Sequence, residues 1–296
     1  MKIGWVLNLS EAVRGYAEVR EMALRVEADG LDSIWIPDHL LYRSSPGETR
    51  GIWEAWTFLS SLAEATTRVE LGPLVACTQF RNPAILAKMA ITLDEVSQGR
   101  LTLGVGAGWN EPEFQAFGLP SDHLVGRFEE ALRIIKPLLQ EGSVDFQGTY
   151  YQARECEIKP RGRRLGGPPL LIAGWGPRML RLVARYADSW NTAYTQPSFE
   201  EPYERLLAAC AEEGRDPSTL KMTHEILLDF PDLRDTPIPS NILNILRGST
   251  EEIAKALLQY EQRSIEHIMV QCTPSNAVSL SRFLAAVKMY RSLPRS

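Results

Sequence analysis

Three stretches of this sequence carry residue types and spacings suited to chemistry: Asp38-His39, Gly106-Ala107-Gly108-Trp109 and Gly174-Trp175-Gly176-Pro177-Arg178. Imidazole is the side chain best matched to proton transfer near neutrality, and a carboxylate beside it can orient the ring or hold a cofactor carbonyl. His39 and Asp38 are therefore the catalytic candidates; the structural alternative has Asp38 capping its loop with His39 packed below. The Gly174–Arg178 turn runs from a strand into a helix with Pro177 at the first helical position. Its N–H groups lie at the positive end of the helix dipole, a ready seat for a phosphate to which Arg178 adds charge. An ordinary tight turn has the same composition. Residues 101–105 form a short apolar run, as in a strand buried on both faces, and the near absence of side chains at Gly106, Ala107 and Gly108 requires a close neighbour. A dinucleotide-binding turn is excluded: the spacing is G-x-G-x-G followed by Trp109, without the third glycine, and it lies far from a first strand–helix turn.

The elements that must position these residues follow a strand-then-helix rhythm. Strands are expected at 3–9, 33–36, 69–76, 101–105, 169–173, 188–192, 222–228 and 267–271. Between them run helices. One at 17–28 has Val19, Met22, Ala23 and Val26 on one face and stops at Gly30, and another covers 53–64. Asn82-Pro83 opens a third in cap-then-N1 order, and residues 127–140 make a fourth. Ser198 with Glu201, and Ser249 with Glu252, read as capping boxes. Thr273-Pro274 is expected to begin the last helix. Residues 42–50 read as a loop and 144–151 as a small β-hairpin excursion. Residues 230–248 form a long loop before the seventh helix, an expected active-site flap. The fold class is α/β, a (β/α)8 TIM barrel in one domain over residues 1–296.

Composition removes several function classes. A net charge of −5, from 32 basic and 37 acidic residues without long single-sign blocks, argues against nucleic-acid or membrane-surface binding. No stretch is apolar enough for a membrane span or signal peptide, and Cys77, Cys156, Cys210 and Cys272 read as free thiols of a cytoplasmic protein. The four histidines are dispersed, so no metal site is expected.

In such barrels the site lies at the carboxyl ends of the strands. Those ends collect Asn8, Asp38-His39, Leu74-Val75-Ala76, Gly106-Ala107-Gly108-Trp109, Ala173-Gly174-Trp175-Gly176 and Trp190-Asn191. They include no lysine for Schiff-base chemistry and no ligand cluster for metal-assisted hydrolysis. A phosphosugar isomerase would share only the phosphate turn. What remains suits a flat aromatic cofactor lying against bare backbone and doing the chemistry itself. Cofactor contacts are expected from Asp38, Leu74, Val75, Ala76, Gly106, Ala107, Gly108, Ala173, Gly174, Trp175, Gly176 and Arg178. Asn8, Trp109, Trp190 and Asn191 are expected to line a substrate pocket.

With these residues in hand, the chain resembles the luciferase-like flavin and deazaflavin oxidoreductases over nearly its whole length. The resemblance rests on Trp35-Ile36-Pro37-Asp38-His39, Arg81-Asn82-Pro83, Thr92-Leu93-Asp94-Glu95-Val96-Ser97-Gln98-Gly99-Arg100 running into Gly104-Val105-Gly106-Ala107-Gly108-Trp109, the Gly174 turn and Ala187-Asp188-Ser189-Trp190-Asn191. It implies a (β/α)8 barrel binding coenzyme F420, or alternatively FMN, with the phosphate near Gly174 to Arg178. Asp38-His39 looks like the deazaflavin branch, with Asp38 orienting His39 beside the reactive ring. That branch also implies a non-prolyl cis peptide, here Leu74–Val75, backing the ring. Homodimers are usual in the family. The sugar-phosphate dehydrogenases of the family carry a glutamate after the glycine run, where this chain has Trp109-Asn110, and a lysine where it has Tyr194-Thr195-Gln196. A non-phosphorylated small-molecule substrate is therefore expected. Glu111 is a possible substitute acid. The leading expectation is hydride transfer with F420; the alternatives are an FMN-dependent monooxygenase and a non-catalytic flavin-binding protein.

Overall fold

A computed structural model describes residues 1–294 apart from 11–14, 46, 196–199, 236, 239–241 and 243. Its strands are β1 (Lys2–Val6), β2 (Ser33–Ile36), β3 in two pieces (Glu70–Pro73 and Ala76–Cys77), β4 (Leu103–Gly106), β5 (Leu170–Ala173), β6 (Ser189–Ala193), β7 (Lys221–Asp229) and β8 (His267–Thr273). All pair in parallel, β1 with β8 closing one side. The lower piece of β3 pairs with β2 and bridges Leu71 to Leu101, while the upper piece pairs with β4. The barrel is thus complete with eight strands, one of them interrupted at Leu74–Val75, whose peptide bond is cis as the resemblance implied.

Helices α1 (Tyr16–Ala28), α2 (Ala55–Ala65), α3 (Pro83–Val96), α4 (Glu111–Ala116), α5 (Leu124–Gln140), α6 (Pro177–Tyr186), α7 (Glu200–Glu212), α8 (Thr250–Gln262) and α9 (Ala277–Ser292) accompany the strands. Asn82 caps α3 through its side-chain oxygen, and Ser249 with Glu252 completes the expected capping box of α8. The box expected at Ser198 lies outside the described residues, as do parts of the expected flap. Within 230–248 the described pieces include a short turn at Pro231–Leu233 and a strand, Ile245–Leu246, on β7. Three sequence expectations are corrected. Residues 42–50 are not a loop but lie within an antiparallel hairpin, Leu41–Ser45 with Glu48–Gly51. The last helix starts at Ala277, capped by Asn276, after a cis Thr273–Pro274 bond. The short helix α4 was not expected. The hairpin excursion, Ser143–Gln147 with Gln152–Glu157, is present.

The interior explains several glycines. Val6, Trp35, Leu74, Leu171 and Met269 form a small cluster inside the barrel, separate from the large core between strands and helices. Trp35 dominates it. A Cβ at Gly4 would run into the Ser33 hydroxyl and lie 2.8 Å from the Trp35 indole nitrogen, and one at Gly72 would lie 2.5 Å from the Thr102 carbonyl oxygen and 2.6 Å from the Trp35 ring. The Trp35 ring has room in this layer because the two strands flanking β2 carry glycine beside it. Gly104 has the same logic: its Cβ would sit 2.2 Å from the Pro73 carbonyl oxygen, so the break in β3 fits only against glycine.

Candidate active site

The carboxyl end of the barrel gathers most of the sequence-predicted residues, with different partners than expected. Asp38, just past β2, is buried and receives two bonds from the Arg81 guanidinium, at 2.7 and 3.0 Å, and one from the Cys77 N–H at 3.1 Å. Burial pushes its carboxyl up, and Arg81 opposes this. Arg81 is also desolvated, but the carboxylates of Asp38 and Glu54 hold it charged, so the pair is read as ionic. The expected orientation of His39 by Asp38 is therefore corrected: Asp38 faces away, tying the loop after β2 to the segment after β3.

His39 is held instead by Glu113. Its Nδ1 lies 3.0 Å from Glu113 Oε1, and Glu113 Oε2 accepts the Leu40 N–H at 2.9 Å. Glu113 is 2% exposed, on the inner side of α4, whereas the candidate Glu111 lies on its outer side, bonded to Gln115. Asn110, buried just before α4, donates to the Leu41 carbonyl and locks the helix against the hairpin. Glu113 escaped the sequence reading because a helix of six residues shows no usable periodicity. The adjoining Phe114, fully buried, was the available signal.

Aromatic rings surround the imidazole. Tyr42 lies 4.6 Å and Trp109 5.4 Å from His39, centroid to centroid, with Arg50 over the Tyr42 ring. Trp109 is 70% exposed. Asn8 is exposed just beyond β1. Asn191 is inward-facing on β6 and accepts from the Thr223 hydroxyl at 2.8 Å. Trp190 departs from expectation. It is fully buried in the helix-facing core, and its indole N–H donates to the Gly174 carbonyl at 2.7 Å, so it buttresses the Gly174 turn and does not line a pocket.

Gly106 and Gly108 also gain a different explanation. A Cβ at Gly106 would meet Val75 at 2.8 Å, and one at Gly108, where φ is +77°, would meet Cys77 and Phe114 at 2.7 Å. Their bareness admits the chain's own bulge. Ala76 is buried beside that bulge, while Ala107 is partly accessible. Burial pushes the Cys77 thiol up to about 12, which rules it out as a nucleophile at neutral pH.

At the other rim, Ala173 ends β5 and Gly174 follows it, Trp175 is 45% exposed, and Gly176 caps α6 with no side-chain hydrogen bond and open space at its Cβ position. The first N–H groups of α6 thus lack a side-chain cap, which fits a phosphate. Arg178 pairs with Glu129 at 2.7 Å, beside a cleft of about 640 Å³ that Gly126 and Tyr150 also line. Among the described residues no cluster fits a metal ion, and no helix is long and apolar enough to cross a membrane.

Comparison with known proteins agrees with this architecture. The sequence profile of the luciferase-like monooxygenase family matches residues 1–228. Pyrimidine monooxygenase RutA of Methylorubrum extorquens is 31% identical over 232 residues, covering 73% of this chain and 62% of the relative. A phthiodiolone/phenolphthiodiolone dimycocerosates ketoreductase of a Mycobacterium species is 32% identical, covering 71% and 60%. This chain thus spans about three fifths of the length of those relatives. Among solved structures, an F420-dependent secondary alcohol dehydrogenase in complex with an F420–acetone adduct superposes with a TM-score of 0.81 at 20% identity, covering 98% of this chain and 99% of the other.

Proposed function

The chain belongs to the luciferase-like monooxygenase family, a family of oxidoreductases, and from that premise we propose that it transfers a hydride between coenzyme F420 and a small, non-phosphorylated organic substrate. The observation that carries this reading is the His39–Glu113 dyad beside the Leu74–Val75 bulge. The residues fit the cofactor: the bulge and Ala107 offer a seat for a flat ring, and the uncapped start of α6 at Gly176 suits its phosphate. Bound F420 would supply or accept the hydride. The proton belongs to His39: with Nδ1 engaged by Glu113, Nε2 is the nitrogen that exchanges a proton with a substrate oxygen. Asp38 keeps that loop in place through Arg81. Trp109 and Tyr42 give the substrate apolar walls.

An FMN-dependent monooxygenase is the second reading, favoured by the similarity to RutA. The dyad speaks against a non-catalytic flavin-binding role. Incubation of the protein under argon with reduced F420 and a panel of ketones and enones separates these readings. Reappearance of oxidised F420 without oxygen is the expected result. Turnover that strictly requires FMN and oxygen would replace this reading with the second.

A further inference from the structure

One carboxyl group inside the barrel has no part in this proton transfer. Glu225 lies on β7 opposite Met269 of β8, a residue of the interior cluster. Its main-chain carbonyl accepts the Tyr194 N–H at 2.9 Å, and the Tyr194 hydroxyl donates to Gln271 Oε1 at 3.2 Å, so Tyr194 spans β7 and β8 at the mouth. Tyr42, the neighbour of His39, is within electrostatic reach of Tyr194, Glu225 and Glu113. Glu225 is deeply enclosed yet partly accessible, so it lines internal space. Among the described residues its carboxyl has neither an ion pair nor a hydrogen-bond partner. Enclosed by the chain yet open to that space, the carboxyl is available to a molecule that enters from outside.

We propose that Glu225, Gln271 and Tyr194 form the substrate-recognising end of the mouth, a hydrogen-bonding edge for the amide or lactam group of an uncharged substrate. The assignment rests on the mouth being the active site. Gln271 has committed its oxygen to Tyr194 and keeps two N–H donors, while a protonated carboxyl presents a donor and an acceptor side by side. Together they match a neighbouring C=O and N–H. Burial pushes the Glu225 carboxyl up to about 7. The titratable groups facing it among the described residues are Tyr194 on the β6 side and Tyr42 from the hairpin, both held neutral by burial. β8 faces it with Met269 and Gln271. Below pH 7 the acid O–H donates a hydrogen bond to the substrate carbonyl; above pH 7 the donor is lost and a buried negative charge takes its place.

Ligand-observed NMR of δ-valerolactam with the protein, F420 or FMN being added and its fluorescence followed in the same samples, tests this. Lactam affinity is expected to fall by about 30-fold between pH 6 and pH 8.5, following the neutral fraction of a group that titrates near 7. Glu225→Gln, permanently uncharged and similar in shape, is expected to bind the lactam within about threefold at both pH values. A flat wild-type profile with cofactor bound overturns the Glu225 assignment alone. So does preference for piperidinium over the lactam at pH 8.5, which would make this a cation site. The expected lactam profile in protein that binds neither cofactor would keep the recognition edge and overturn the active-site reading.

Discussion

His39→Ala is expected to lower turnover by about a hundredfold or more while leaving cofactor affinity within about threefold, because a positioned proton donor contributes roughly 10²–10⁴ in rate. The loss should appear in kcat and not in KM, since the imidazole acts on the oxygen where charge develops. Glu113 is a positioning residue in this account. It fixes the ring through Nδ1 and the adjoining backbone through the Leu40 N–H. Glu113→Ala should therefore approach the His39→Ala loss, Glu113→Gln should recover part of it, and the double variant should be little worse than either single one. Steady-state kinetics of the four proteins decides the matter. Additive losses would show that the two residues act separately.

Arg81→Ala is the substitution expected to cost most in stability. Arg81 binds Asp38 through two nitrogens and also reaches Glu54 at 2.6 Å, which caps α2. Removing it leaves the buried Asp38 uncompensated, at a cost of about 3–5 kcal/mol, whereas removing both partners of such a pair is far milder. Urea unfolding of Arg81→Ala, Asp38→Asn and the combined Asp38→Asn, Arg81→Met variant is the check. The combined variant should be more stable than the sum of the single losses predicts. A loss below about 1 kcal/mol for Arg81→Ala would mean that the pair does not anchor the loop.

The barrel was legible in the sequence because its signals are local and repeated. Apolar strands alternate with capped helices, and Asn82-Pro83 and Ser249–Glu252 perform as their spacing suggests. The break in β3 was legible only through family resemblance. What local pattern could not give was partnership. Asp38 and His39 are adjacent in sequence but point to different neighbours, 43 and 74 residues away. Gly106 and Gly108 read as a bare platform, yet the space over them is taken by Val75 of the bulge and by Cys77 and Phe114. Trp190 followed the alternation of β6 outward, against a reading that took strand-end position alone as evidence for a pocket. Glu225 carried a readable sign, a carboxylate in the middle of an otherwise buried strand.

The central claim is a deazaflavin seated against the bulge, between the His39–Glu113 dyad and the start of α6. Titration of the purified protein with F420 and separately with FMN, each oxidised and reduced, followed by fluorescence, tests it most directly. Selective micromolar affinity for F420, about −8 kcal/mol, is the predicted result. Tighter binding of reduced FMN than of F420 would contradict it.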